Sequence, residues 1–131
     1  MQARIVVADD SATMRMIVTT TLKSQGWDVV AASNGQDGLA LARERRPDLV
    51  VTDWNMPVMG GLGFVQGLRA DAATRHVPIL VLTTEDDDES KQAARALGVN
   101  GWIYKPVDPA LLVEVAASHL GEATGGHGET A

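Results

Sequence analysis

The 131-residue chain contains no cysteine, which excludes disulfide bonds and any metal site built from thiolates. Basic residues are also scarce, because 11 lysines and arginines stand against 17 acids and leave a net charge of -6 at pH 7. A nucleic-acid-binding surface needs clustered positive charge, so this class of protein is disfavoured. No apolar run approaches the roughly 18 residues that a membrane helix needs, and the N-terminus does not resemble a signal peptide. We therefore expect a cytoplasmic protein without a membrane segment.

Short apolar segments alternate along the chain with segments of helical period. The apolar segments predict strands, and the segments between them predict helices. Strands are expected at residues 4–9, 29–32, 49–53, 78–83 and 101–104, and helices at residues 12–25, 36–45, 61–69, 86–97 and 108–119. This alternation predicts an α/β protein with a five-stranded parallel sheet that is flanked by helices on both faces.

A single domain is expected over residues 1–120, because the length suits one hydrophobic core and no internal repeat is visible. The segment 121–131 is rich in glycine and contains no run of core-forming residues. We therefore predict that it forms a disordered tail.

Polar side chains follow or end four of the predicted strands. Asp9 ends the first strand and Asp10 follows it, Asp53 closes the third, Thr83 ends the fourth and Lys105 follows the fifth. The carboxyl ends of parallel strands meet at one edge of a sheet, so these side chains are expected to converge there. Clustered carboxylates repel one another unless a cation lies among them, and Mg²⁺ takes oxygen ligands of this kind. The pattern indicates a site for a hard cation and a phosphoryl group.

Each of these residues has an ordinary structural interpretation when it is taken alone. An Asp-Asp pair before a helix commonly serves turn and capping chemistry, and a single lysine is most often solvated. The acidic run from Glu85 to Glu89 is likewise expected to complement a helix dipole. The functional hypothesis therefore depends on the joint pattern of the strand ends.

Several motifs resemble the receiver domains of two-component response regulators, and in particular the CheY-like chemotaxis regulators. They are Asp9-Asp10, Thr13-Met14-Arg15 with Ile17-Val18, Asp53-Trp54-Asn55-Met56-Pro57 with Met59, Gly61 and Leu62, then Thr83 and Lys105-Pro106. The similarity runs from about Ile5 to His119. It implies the flavodoxin-like strand order 2-1-3-4-5, for which the chemotaxis regulator is a standard example.

The resemblance also implies the chemistry of the site. Asp53 accepts a phosphoryl group as an acyl phosphate, Thr83 hydrogen-bonds that group, and Lys105 pairs with one of its oxygens. The implied Mg²⁺ ligands are Asp9 (mainly through water), Asp10, Asp53 and the backbone carbonyl of Asn55. Phosphoryl transfer needs alignment and charge neutralisation more than covalent chemistry from the protein, so this set is chemically coherent.

Three further expectations concern the surroundings of the site. A cis peptide bond between Lys105 and Pro106 would aim the lysine inward. By the same resemblance, Trp102 occupies the position of a rotating aromatic switch, and a half-buried packing residue stays open as the alternative. Tyr104 is assigned by strand alternation to the opposite face and is the weaker candidate. The resemblance also implies that Asn55 and Glu85 border the path of the water that hydrolyses the acyl phosphate.

The resemblance implies a stand-alone response regulator, phosphorylated by a CheA-like histidine kinase and signalling as a monomer. It would bind a flagellar-motor switch protein or another target through residues 86–120, and it would be no enzyme beyond its own phosphorylation and dephosphorylation. A phosphate sink or phosphorelay intermediate without motor binding stays open as an alternative.

Two other classes fit the sequence less well. Phosphatases with an aspartate nucleophile usually carry Asp-x-Asp, and the sequence Asp53-Trp54-Asn55 lacks the second acid. A flavin-binding module would need hydrogen-bond donors for the flavin phosphate where this chain has acidic loops.

Overall fold

The computed structural model describes the backbone of residues 2–124 and the side chains of residues 2–120. Over this part of the chain five strands and five helices alternate. In chain order they are β1 (Arg4–Ala8), α1 (Ala12–Lys23), β2 (Asp28–Ala32), α2 (Gly35–Arg45), β3 (Leu49–Thr52), α3 (Gly61–Ala70), β4 (Ile79–Thr83), α4 (Asp88–Ala96), β5 (Gly101–Tyr104) and α5 (Pro109–Thr124). All strand pairs are parallel and the sheet order is β2-β1-β3-β4-β5, which confirms the predicted fold class and strand order.

The sheet separates two hydrophobic cores, because successive side chains of a strand point to opposite faces. In β1, Ile5 and Val7 face a core that also contains residues of α1 and α5. The alternate residues Val6 and Ala8 face a second core built with α2, α3 and α4. The central residues of β1, β3 and β4 are therefore apolar and buried on both faces, as expected for a parallel sheet covered on both sides.

Side-chain caps set the starts of three helices. Ser11 Oγ accepts a hydrogen bond from Met14 N, as predicted, and Asn34 caps α2 in the same way. Asp87 caps α4, so this helix begins at Asp88 and not at Asp86 as the sequence suggested. The carboxylate of Asp86 is consequently outside the helix and available for other contacts.

Glycines allow the β3–α3 connection to pack closely, although each glycine in a helix costs about 1 kcal/mol relative to alanine. A Cβ atom on Gly61 would lie 2.8 Å from the carbonyl oxygen of Asp53. A Cβ atom on Gly67 would lie 2.6 Å from Leu39, so this glycine lets α2 and α3 approach each other. The glycines that weaken α3 as an isolated helix therefore fit it to its neighbours.

The last helix runs to Thr124, four residues into the segment predicted to be a tail. Residues 125–131, the remainder of that segment, lie outside the described part of the chain. Among the described residues, no helix is both long enough and apolar enough to span a membrane.

Candidate functional site

The sheet register brings the ends of the central strands to one edge. Ala8 of β1 pairs with Thr52 of β3, and Thr52 pairs in turn with Val81 of β4. Thr83, the last residue of β4, pairs with Tyr104 at the end of β5. The residues that follow β1, β3 and β5 therefore emerge side by side, as the strand-end pattern predicted.

Three carboxylates form a cluster at this edge. One oxygen each from Asp9, Asp10 and Asp53 lies within 4.8 Å of the other two. Asp9 and Asp53 are only 2% and 8% exposed, whereas Asp10 faces solvent. Two carboxylates are thus held close together with little water to screen their repulsion, which requires positive charge nearby.

Lys105 supplies one positive charge. Its Nζ lies 2.9 Å from Asp9 Oδ2 and 3.0 Å from Asp53 Oδ2. Burial lowers the pKa of Lys105, but the hydrogen bonds to the two carboxylates and the attraction of their charges together outweigh burial and raise the pKa above its usual value. The ammonium group is therefore protonated at neutral pH. The peptide bond between Lys105 and Pro106 is cis, as predicted.

Backbone groups fix the other oxygen of each buried carboxylate. Trp54 N donates to Asp53 Oδ1 at 2.7 Å, and Ser11 N donates to Asp9 Oδ1 at 2.9 Å. The guanidinium of Arg15 also donates to the carbonyl oxygen of Asp9 at 2.8 Å. These bonds hold both side chains in one orientation.

Three all-oxygen acids in one small cluster suit a hard divalent cation. Mg²⁺ binds proteins through one or two carboxylates and keeps several waters, which the exposure of Asp10 permits. The cluster holds no imidazole or thiolate that would favour zinc. The donor set therefore fits the predicted magnesium site.

Thr83 connects this cluster to the loop between β4 and α4, here called the β4–α4 loop (residues 84–87). Thr83 is 1% exposed, and its Oγ1 accepts a hydrogen bond from Glu85 N at 3.0 Å. The carbonyl oxygen of Thr83 accepts from Lys105 N at 3.0 Å. The Glu85 carboxylate in turn accepts from Asn55 Nδ2 at 2.9 Å, which ties the loop to the loop that follows Asp53.

Trp102 lies behind the same loop. Its indole Nε1 donates to the carbonyl oxygen of Glu85 at 3.2 Å, and its ring lies 5.3 Å from that of the buried Trp54. The predicted switch residue thus touches both the residue after Asp53 and the β4–α4 loop.

The expected position of Tyr104 was wrong. Tyr104 lies on the same side of β5 as Trp102, because residues two apart on a strand share a face. Its hydroxyl donates to Asp86 Oδ1 at 2.8 Å. Lys91 Nζ lies 2.8 Å from the same oxygen and 5.1 Å from the centre of the Tyr104 ring. Hydrogen bonds from Lys91 and Tyr104 lower the pKa of Asp86.

The sequence reasoning also missed a strained turn beside the site. Val58 has a φ of 69°, which β-branched residues rarely adopt, and its side chain is 76% exposed. Met59 N donates to the carbonyl oxygen of Pro57 at 2.7 Å, so Val58 is the centre of a γ-turn of the strained kind. The asparagine and glycine residues that usually mark such turns are absent from this position, which is why the sequence gave no signal.

Comparisons with known proteins agree with this fold. The family model for the response regulator receiver domain matches residues 5–117. The protein PilH of Pseudomonas aeruginosa is 38% identical over 112 residues, which cover 86% of this chain and 93% of PilH. The chain belongs to the response regulator receiver family.

Two chemotaxis proteins of Vibrio cholerae illustrate the similarity. The protein CheY-3 is 39% identical over 112 residues, covering 85% of this chain and 86% of CheY-3. The solved structure of the chemotaxis response regulator CheY4 superposes with a TM-score of 0.84 at 38% identity, covering 91% of this chain and 99% of CheY4. The chain is therefore a CheY-like receiver domain.

Proposed function

We propose that this receiver domain is phosphorylated on Asp53 and signals by binding a separate protein when Asp53 carries the phosphoryl group. The observation that supports this most directly is the contact between Asp53 and Lys105, which leaves a buried carboxylate oriented by Trp54 N and paired with a protonated amine. A carboxylate held in this way is a suitable nucleophile for phosphorus.

The reaction is a displacement at phosphorus. A carboxylate oxygen of Asp53 forms a bond to phosphorus while the bond from phosphorus to the donor, a phosphohistidine or acetyl phosphate, breaks. Lys105 then pairs with a phosphoryl oxygen, and the hydroxyl of Thr83 donates to another. These contacts neutralise charge on the transferred group, which is the main requirement of this chemistry.

A magnesium ion is proposed to act with these residues. Asp10 and Asp53 would hold it with the Asn55 backbone carbonyl, and Asp9 would act mainly through water. When bound, Mg²⁺ supplies positive charge that offsets the charge of the phosphoryl oxygens. The clustering of the three acid side chains within 4.8 Å supports this assignment.

A CheA-like histidine kinase is the proposed phosphodonor, and a flagellar-motor switch protein is the proposed target. The identity of about 39% to a chemotaxis protein supports this pairing. The surface formed by α4, β5 and α5 is the proposed binding face, because the β4–α4 loop joins it to Thr83. We propose that residues 1–120 are the signalling unit and that it works as a monomer.

Intact-mass measurement after incubation with acetyl phosphate tests the chemistry. We expect the wild type to gain one phosphoryl group with Mg²⁺ present and none with a chelator. Asp53→Asn should gain none. Asp48→Asn is a matched control, because Asp48 lies just before the first residue of β3 whereas Asp53 follows the last. This variant should gain one phosphoryl group, as the wild type does. An adduct on Asp53→Asn, or none on the wild type at early times, would contradict the proposal.

A phosphate sink or phosphorelay intermediate is the alternative, because the same site would serve it. The two differ in what the phosphorylated form binds. Titrating a flagellar-motor switch protein with the chain, before and after phosphorylation, should show tighter binding of the phosphorylated form. Phosphotransfer from the kinase without any gain in binding would favour the sink.

A further inference from the structure

Three groups close a small network on the outer face of α4 and β5. The Tyr104 hydroxyl and the Lys91 ammonium both contact Asp86 Oδ1 at 2.8 Å. The Lys91 ammonium also lies over the Tyr104 ring, 5.1 Å from its centre, where a cation is attracted to the ring face. We call this network the Tyr104 triad. It joins β5, α4 and the β4–α4 loop at one point, and it is separate from the acid cluster.

The triad is linked to Thr83 through two consecutive loop residues. Glu85 N donates to the Thr83 hydroxyl oxygen, and the next residue, Asp86, carries the carboxylate of the triad. Thr83 and Tyr104 are also neighbours in the β4–β5 register. A movement of Thr83 that displaces Glu85 therefore displaces Asp86 as well.

We propose that Tyr104, Asp86 and Lys91 form a latch that holds the β4–α4 loop in its position for unmodified Asp53. This inference rests on the proposed phosphorylation of Asp53. When the Thr83 hydroxyl turns to the phosphoryl group, its bond with Glu85 N loosens and the loop shifts. The Asp86 carboxylate then leaves Tyr104, so the ring becomes free at the surface where a target would bind.

The latch must open when a phosphoryl group or its analogue is bound at Asp53, so the latch opposes that binding. Coupling between two sites is reciprocal, and a contact that exists only in the unmodified state weakens any ligand that selects the other state. Asp86 and Tyr104 are exposed to water, so their contact is weak. Loss of the Tyr104 hydroxyl should therefore tighten binding of a phosphoryl analogue by about two- to fivefold.

Beryllofluoride with Mg²⁺ is a suitable phosphoryl analogue. Tryptophan fluorescence reports its binding, because the buried Trp54, one of three tryptophans, lies beside Asp53. Tyr104→Phe should bind it about two- to fivefold more tightly than the wild type. In an Asp86→Ala background, Tyr104→Phe should have no further effect on the affinity for beryllofluoride, because the Tyr104 hydroxyl already lacks its hydrogen-bond acceptor. Ser24→Ala, which removes a surface hydroxyl at the end of α1, should bind as the wild type does.

Fluorine NMR gives a second readout, because Tyr104 is the only tyrosine in the sequence. The single resonance of a 3-fluorotyrosine-labelled chain should shift when beryllofluoride and Mg²⁺ are added, and it should not shift in Asp53→Asn. Unchanged or weaker binding by Tyr104→Phe, or a resonance that does not respond to bound beryllofluoride, would overturn the latch alone. Absence of both beryllofluoride binding and a phosphoryl adduct in the wild type would overturn the proposed function and the latch together.

Discussion

Lys105 Nζ lies 3.0 Å from Asp53 Oδ2, although the two residues are 52 positions apart in sequence. The contact joins an amine that follows β5 to a carboxylate that follows β3, across the intervening strand β4. It neutralises part of the charge of the acid cluster, and it places a cation beside the proposed phosphoacceptor. One contact thus serves both the stability of the fold and the proposed chemistry.

Lys105→Met should destabilise the chain in the absence of Mg²⁺. The substitution leaves two buried carboxylates close together without their cation, and removing one partner of a largely buried ion pair costs about 1–3 kcal/mol at a site with some solvent access. Urea unfolding measures the loss. Added Mg²⁺ should reduce the difference from the wild type, because the ion replaces the missing charge.

Lys23→Met is the control for that substitution, because Lys23 is exposed in the last turn of α1 and forms no ion pair among the described residues. Its free energy of unfolding should stay close to the wild-type value with and without Mg²⁺. An equal decrease in the free energy of unfolding of the two variants would contradict a special role for Lys105.

The stabilisation by Lys105 should depend on pH in one direction. Its pKa is raised in the folded chain, so the charged form is favoured by folding. The contribution is therefore fully present below the ordinary lysine pKa of about 10.4 and is lost as the pH rises through the raised folded value. We expect the difference between the wild type and Lys105→Met to be constant from about pH 7 to about pH 9 and to shrink above about pH 10.4. A difference in the free energy of unfolding that grows at alkaline pH would contradict this expectation.

Glu85→Ala should shorten the lifetime of the phosphorylated form. The substitution removes the 2.9 Å hydrogen bond between Asn55 and Glu85, which joins the two loops beside the site. Water then reaches the acyl phosphate more easily, and we expect loss of the adduct to be about two- to tenfold faster, which corresponds to roughly 0.4–1.4 kcal/mol. The decay of intact mass after removal of acetyl phosphate measures this rate. Glu89→Ala, in the first turn of α4, should leave the lifetime unchanged. Equally shortened lifetimes in the two variants would contradict a role for the hydrogen bond between Asn55 and Glu85.

Val58→Asn should stabilise the chain by about 1 kcal/mol, because asparagine tolerates the positive φ that valine resists. Val58 is exposed, so little apolar burial is lost. Urea unfolding measures the gain. Val58→Ala is the matched control, since alanine keeps the steric cost of a Cβ atom and should gain less. Equal stability of the alanine and asparagine variants would mean that the backbone strain is small.

The strand order was predicted from the family resemblance and not from the residues. Local sequence patterns were sufficient to predict the strands and the cap at Ser11. Each depends on neighbouring residues: apolar runs form buried strands, and a serine before a helix accepts its free N–H groups. The convergence of Asp9, Asp53 and Lys105 also followed, because parallel strands end at one edge. The roles of these residues in phosphorylation stay predictions.

Contacts between distant segments could not be read from the sequence in the same way. The start of α4 depended on which aspartate of the run from Glu85 to Glu89 caps the helix, and all three suit that role until the loop is placed. The partners of Glu85 and Asp86 are 30 and 18 residues away, on Asn55 and Tyr104.

The sequence by itself therefore determined the α/β fold and the acids, hydroxyl and amine at the ends of its strands, because hydrophobic period and strand direction are local properties. Only the tertiary structure decided that Lys105 bridges Asp9 and Asp53, and that the Tyr104 hydroxyl bonds Asp86. Those pairings depend on how far each loop reaches after its strand ends. That reach is fixed by packing across the whole sheet and by no single segment.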